Sequence, residues 1–144
     1  MRVQVFRAPS TGRNTRRLLP GSTRNGATEG ANRCQYCVVA HGAILRIRAK
    51  DPLIADQLAI NWRKANLSDR HWAMLQFAEL VAMDADSITE DDHLDMAEAG
   101  FSADEIWDIG AIAAFFGMSN RLVNMAEIPP NEEFYLMGRV PKGV

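Results

Sequence analysis

An all-α fold is predicted for residues 31–144, on three observations. Helix-start signals follow one another at short intervals from residue 31 onward, two of them as capping-box patterns, and strand-like alternation is nearly absent. About five helices with short links account for the segment.

Asn32 is the expected N-cap of a first helix through Arg48, which carries both cysteines of the chain. Asp51-Pro52 places a capping residue before a proline at the first helical position, and the helix it opens is expected to reach about Lys64. Ser68 caps a third helix, whose apolar side comes from Trp72, Leu75, Phe77 and Leu80. Thr89 with Asp92 starts a short acidic helix that stops at Gly100. Ser102 with Glu105 opens the last helix, which runs to about Ala126, and Pro129-Pro130 is expected to end helical structure. Ile106, Trp107, Ile109, Ile112, Phe115, Phe116, Met118, Leu122 and Val123 point in every direction around the axis of that last helix. A helix apolar on all sides has to be covered on all sides, and five short helices cannot enclose it, so a homo-oligomer with this helix near its interface is expected. The tail "NEEFYLMGRVPKGV" carries aromatic and aliphatic residues suited to crossing to a neighbouring subunit.

Residues 1–30 read differently. They hold six arginines and one acid, Glu29, a net of +5, whereas residues 31–144 hold ten bases against seventeen acids, a net of −7. Their Ser-, Thr-, Gly-, Asn- and Arg-rich composition lacks helical periodicity and is that of a poorly ordered basic tail. Val3 and Val5 alternate with polar neighbours as in a short edge strand, and the acid-poor, arginine-rich start also has the composition of a transit peptide. The two expected regions are therefore 1–30, a divergent tail, and 31–144, a helical domain.

Composition narrows the function. A net charge of −2 and a pI near 5.9 give no general reason to expect nucleic acid or an anionic membrane as partner. The most apolar stretch, "IGAIAAFFGM" at 109–118, is half the roughly 20 residues a bilayer span needs. No charged start precedes an apolar block, so a cytoplasmic protein is expected. Two cysteines three positions apart do not build a secreted disulfide scaffold and instead suggest redox or metal chemistry.

Those cysteines sit in "NRCQYCVVAHGAIL", a C-x-x-C followed four residues later by a histidine. On a helix, Cys34, Cys37 and His41 share one face. Both thiols fall in the first turns, where free backbone N–H groups and the helix dipole favour the thiolate, the reactive form of cysteine. His41 has the right ordinary pKa range to take a proton from Cys37 or return one to a leaving oxygen. A cycle follows in which one thiolate attacks a peroxide oxygen, becomes a sulfenic acid and condenses with the other thiol to a disulfide. With no third cysteine, an external dithiol must reduce the pair. Zinc would need a fourth ligand and a second close pair, and only His71 and His93 remain. Val38 stands where a haem-attachment motif needs histidine, and no βαβ pattern accompanies the pair as in a thioredoxin-like site. No metal and no cofactor are expected, and structural cysteines on a core helix are the plain alternative.

The segments "ANRCQYCVVAHGAILR", "WRKANLSDRHWAMLQFAELV", "GFSADEIWDIGAIAAFFGMSNRLVNM" and "PNEEFYLMGR" resemble, in order, the alkylhydroperoxidase (AhpD-like) members of the carboxymuconolactone decarboxylase family, and within them the peroxidase-related branch. The resemblance covers roughly residues 31–139. It implies an all-helical oligomer that reduces hydroperoxides, with Cys37 as the peroxide-reactive cysteine, Cys34 as its disulfide partner and His41 in the proton relay. The decarboxylating members lack this cysteine pair. The family also places a relay glutamate twelve positions before the first cysteine, where this chain has Ser22. Residues 1–30 therefore read as a divergent tail or as the product of a misplaced start or a shifted reading frame; upstream nucleotide sequence that encodes no family-like helix in any frame excludes the frame shift. A degenerate or redox-sensing oligomer that turns over slowly is the non-enzymatic reading. Elsewhere, His93 and His71 are expected at the surface. Asp108, the lone acid inside the apolar last helix, is expected to pair with an arginine such as Arg121. Asn120 and Arg121 match the family's "NR" pattern and are expected to serve packing or an interface.

Overall fold

Side chains that catch the first free amides fix where four of the helices begin. The computed structural model describes residues 30–139, and the six α-helices that lie wholly within them are α1 (Gln35–Ala49), α2 (Ile54–Asn61), α3 (Asp69–Met83), α4 (Glu90–Glu98), α5 (Ala103–Met125) and α6 (Glu132–Leu136). Short 3-10 turns at Trp62–Lys64 and Ala85–Ser87 link them, and no strand occurs among the described residues. The all-α expectation holds. The strand suggested at Val3 and Val5 and the expected disorder of the basic tail lie outside the described residues.

Three starts agree with the sequence reading. The Ser68 hydroxyl accepts from the His71 amide at 3.2 Å, and capping boxes at Thr89–Asp92 and Ser102–Glu105 open α4 and α5. Gly100, with φ of +87°, closes α4 in a backbone region open to glycine without strain. Two starts differ. The chain turns at Arg33, whose φ is +54° and whose amide donates to the Gly30 carbonyl, so Cys34 and not Asn32 is the N-cap of α1. Asp51 does not cap α2 directly. Its Oδ1 accepts from the Leu53 amide at 2.9 Å, an Asx turn that spends the cap one turn early, and α2 starts at Ile54. α2 ends at Asn61 and gives way to the 3-10 turn that completes the expected span to Lys64.

α3 and α5 pack along each other as the spine of the fold. Met74, Leu75, Phe77 and Ala78 of α3 meet Ile106, Ile109 and Ala113 of α5, with Leu45, Leu58, Trp62, Met96 and Phe101 closing the core around them. Trp62 stacks edge-on to Trp72 with ring centroids 5.1 Å apart. Trp72 and Leu80, expected in the core, are only half-buried at its margin, because the core stripe of α3 falls on Met74 and Ala78 instead.

α5 ends at Met125, ahead of the prolines at 129 and 130: Glu127 takes a φ of +53° and the Ile128 amide donates to the Val123 carbonyl. Those prolines do not end helical structure. Beyond them α6 turns back onto α1 of the same chain. Arg46, 3% exposed, donates from Nε to the Met137 carbonyl and from Nη2 to the Phe134 carbonyl, each at 2.8 Å. Burial pushes the Arg46 guanidinium below its usual range, and the nearby Arg139 charge adds to that. Gly138, at φ +74°, lies so close to Arg46 that a Cβ would sit 2.7 Å from the arginine's own Cβ. Arg139 forks onto Asp56 of α2 at 2.7 and 2.8 Å. The segment expected to reach a neighbour is thus clamped to its own chain through residue 139.

α5 carries apolar residues on all sides, and the described residues cover only part of it. Trp107 is 78% and Met125 76% exposed, with Phe115, Met118 and Leu122 also open to solvent. A groove of about 610 Å³ runs between α3, α4 and α5, lined by Phe77, Leu94, Phe101, Ile106 and Trp107. Asp108 is exposed, not buried, and so needs no ion partner. Arg121 donates to the Gly117 carbonyl one turn back. No helix among the described residues is long and apolar enough to cross a membrane.

Candidate active site

The site is built at the first turn of α1. Cys34 adopts an extended N-cap conformation, φ −89° and ψ 100°, and its carbonyl accepts the first helical hydrogen bond, from Val38 at 2.9 Å. Its sulfur takes the place that a serine or aspartate oxygen usually fills and accepts from the Cys37 amide at 3.4 Å. Cys37 occupies the third helical position, and the two cysteines, with Cα atoms 5.3 Å apart, are joined as a disulfide. Cys34 therefore caps the helix and does not sit on its face, a correction to the expected arrangement of three residues on one helical stripe. The motif still closes, because an N-cap side chain folds back over the third residue of its helix.

His41 lies one turn beyond Cys37 on α1, half-buried. Its ring meets Phe116 of α5 edge-on, with centroids 5.2 Å apart and planes at 84°. The structure so places all three expected residues, Cys34, Cys37 and His41, on consecutive turns of one segment beneath α5. The position of the family's relay glutamate, Ser22, lies outside the described residues. Both sulfurs are well covered: Cys34 is 0% and Cys37 4% exposed. Beside them Gln35 donates from its amide to the Tyr135 hydroxyl of α6 at 3.0 Å, so the folded-back arm borders the site.

The other histidines stand elsewhere. His71 shares a 2.7 Å hydrogen bond with Ser68 at the start of α3. His93 is exposed and packs edge-on against Phe77, with centroids 5.5 Å apart. No group of three or more His, Cys, Asp or Glu side chains among the described residues is gathered closely enough to hold a metal ion. One polar residue of α5 goes beyond the sequence reading. Asn120 was expected at packing or an interface, yet it is 0% exposed within a single chain and both polar atoms of its side chain lack a hydrogen-bond partner. The signal was a polar residue inside an apolar run, "FFGMSNRLV", which fixes burial but not direction.

An all-α bundle with a C-x-x-C disulfide at a helix start defines a class, and solved structures specify it. The chain is similar over 85% of its length to an alkylhydroperoxidase AhpD core, an uncharacterized peroxidase-related protein of Ralstonia eutropha JMP134, at 51% identity and a TM-score of 0.82; it spans 65% of that chain. It is similar over 90% of its length to an uncharacterized peroxidase-related protein of Silicibacter sp. TM1040, at 32% identity and a TM-score of 0.82, and covers 68% of that chain. This chain belongs to the AhpD-like, peroxidase-related family. No protein-family model matches the sequence, and neither does any curated protein.

Proposed function

We propose that the chain is a thiol-dependent peroxidase that reduces organic hydroperoxides or hydrogen peroxide. The observation that carries this reading is the Cys34–Cys37 disulfide at the N-terminus of α1 with His41 one turn on. In the reduced state the helix start favours a thiolate at Cys37. That thiolate attacks one peroxide oxygen; an S–O bond forms, the O–O bond breaks, and His41 gives a proton to the departing oxygen, which leaves as an alcohol or water. Cys34 then attacks the sulfenic sulfur, the S–S bond forms, and the sulfenic oxygen leaves as water. An external dithiol supplies two electrons and two protons to restore both thiols and departs as its own disulfide. No cofactor enters the cycle. The exposed apolar face of α5 supports a homo-oligomeric working unit, and we place it in the cytoplasm, where reducing dithiols are plentiful.

Burial of both sulfurs favours a second reading, a redox-sensing oligomer whose disulfide forms and breaks slowly. Intact-mass spectrometry separates the two. Reduced protein is mixed with one equivalent of an organic hydroperoxide and sampled over seconds. Loss of two mass units within that time, abolished by Cys37→Ser, is the peroxidase outcome. Thiols that persist for many minutes refute peroxidase chemistry and leave the sensor reading.

A further inference from the structure

Two buried side-chain amides on the segments that meet at the start of α1 have no hydrogen-bond partner. Asn120 is fully buried with neither its amide nitrogen nor its oxygen engaged, and the Asn32 Nδ2, two residues before Cys34, is buried and unpartnered as well. Such amides are unusual, because a buried donor without an acceptor is costly and folded proteins rarely keep one without a reason.

The packing register shows where Asn120 points. On α5, Phe116, Asn120 and Asn124 follow at four-residue spacing and share a face. Phe116 meets His41, while the Asn124 Nδ2 donates to the Asn32 carbonyl at 3.4 Å. Positions fall on one segment as they rise on the other, so the two run antiparallel. Asn120 stands midway between Phe116 and Asn124, and midway between His41 and Asn32 stand Tyr36 and Cys37. Of these two, Cys37 is the buried one.

We propose that Asn120 is the hydrogen-bond donor to the Cys37 sulfur once the disulfide is reduced. A disulfide sulfur is a poor acceptor, so the amide is idle in the oxidised state. When an external dithiol passes two electrons and two protons to the pair, and Cys37 then sheds its proton, the thiolate becomes a strong acceptor and the buried amide gains a charge-assisted bond. Oxidation forfeits that bond, so Asn120 favours the reduced, reactive state. The inference rests on the redox reading above and assigns a residue to it. The other titratable or charged groups around this turn are Arg33, Cys34, Tyr36 and His41 on its own segment, Arg121 on α5, and Tyr135, reached through Gln35; all are retained in the test.

The test is the pH midpoint of Cys37 alkylation by iodoacetamide in the reduced full chain, located by peptide mass spectrometry, for wild type and Asn120→Leu, with far-UV circular dichroism on both. Asn120→Leu is expected to keep its helical signal and raise the midpoint by about one pH unit or more, the effect of losing one hydrogen bond to a charged group. A wild-type midpoint below the free-cysteine value of about 8.5 that the variant leaves in place overturns the donor role and spares the redox reading. A wild-type midpoint at or above that value, unmoved by the variant, overturns both. Where the variant does not fold, the side-chain amide signals of Asn120 in nitrogen-15-labelled wild type decide. A downfield shift on reduction that titrates with Cys37 supports the role, and signals that ignore reduction overturn it.

Discussion

The arm formed by residues 131–139 hangs on Arg46, and removing that one charge is expected to release it without unfolding the bundle. Arg46→Met keeps an unbranched apolar stem in the same space and deletes the guanidinium. Two hydrogen bonds go with it, to the Met137 and Phe134 carbonyls. Each such bond from a charged donor contributes about 1.5–3 kcal/mol net. The lower figure applies, because Arg46 gives up its own hydration to dock and the freed carbonyls regain water. The loss is then about 3 kcal/mol, or roughly a hundredfold in the docking equilibrium. The fork from Arg139 to Asp56 and the bond between Gln35 and Tyr135 remain, but both are exposed and neither replaces a buried clamp. A five-residue helix has no stability of its own in water, so an undocked arm loses α6 as well. Hydrogen exchange measured by mass spectrometry reads this directly. The amides of Phe134, Met137 and Arg139, which bond within the arm, should exchange about a hundredfold faster, while those of α1 and α5 keep their protection. Unchanged exchange in the arm would refute the clamp. Equal acceleration in α1 would show that Arg46 holds the bundle itself and that the arm is not a separate unit.

The ion pair below the arm gives a pH dependence. The hydrogen bond from Arg139, above all, holds the Asp56 carboxyl below the usual range, with burial opposing it. Its contribution to docking is thus fully present above about pH 4 and is lost as pH falls through the lowered value, a loss that arm exchange, corrected for intrinsic rates, should follow and that Asp56→Asn should abolish. An arm whose docking ignores acid refutes this assignment. For the open face of α5, size-exclusion chromatography with light scattering should give a wild-type mass that is a multiple of 16.0 kDa and a single-chain mass for Leu122→Glu with Met125→Glu. A wild-type protein at 16.0 kDa, or a double variant of undiminished mass, rules out this face as the interface.

Local signals were legible residue by residue. A capping serine or threonine needs only its third neighbour, so Ser68, Thr89 and Ser102 could be read as helix starts without knowing what the helices pack against. The C-x-x-C spacing and the histidine four residues on were equally local, and all three residues lie on consecutive turns. Two starts fall elsewhere because a turn ahead of the helix takes the amide or the capping oxygen first. Arg33 takes a positive φ and pushes the cap from Asn32 to Cys34, while Asp51 spends its oxygen on Leu53 before α2 begins.

What the sequence determined by itself was an all-α chain whose cysteine pair opens a helix and whose last long helix carries apolar residues on all sides. Only the tertiary structure decided that Cys34 is itself the cap, that the segment after Pro130 folds back under Arg46, and that the amide of Asn120 lies buried without a partner. The division has a physical cause. Caps and motif spacing act over three or four residues of one strand of chain, and the pattern records them. The register of two antiparallel helices and the carbonyls a buried arginine finds are set by contacts about ninety residues apart, which no periodicity encodes.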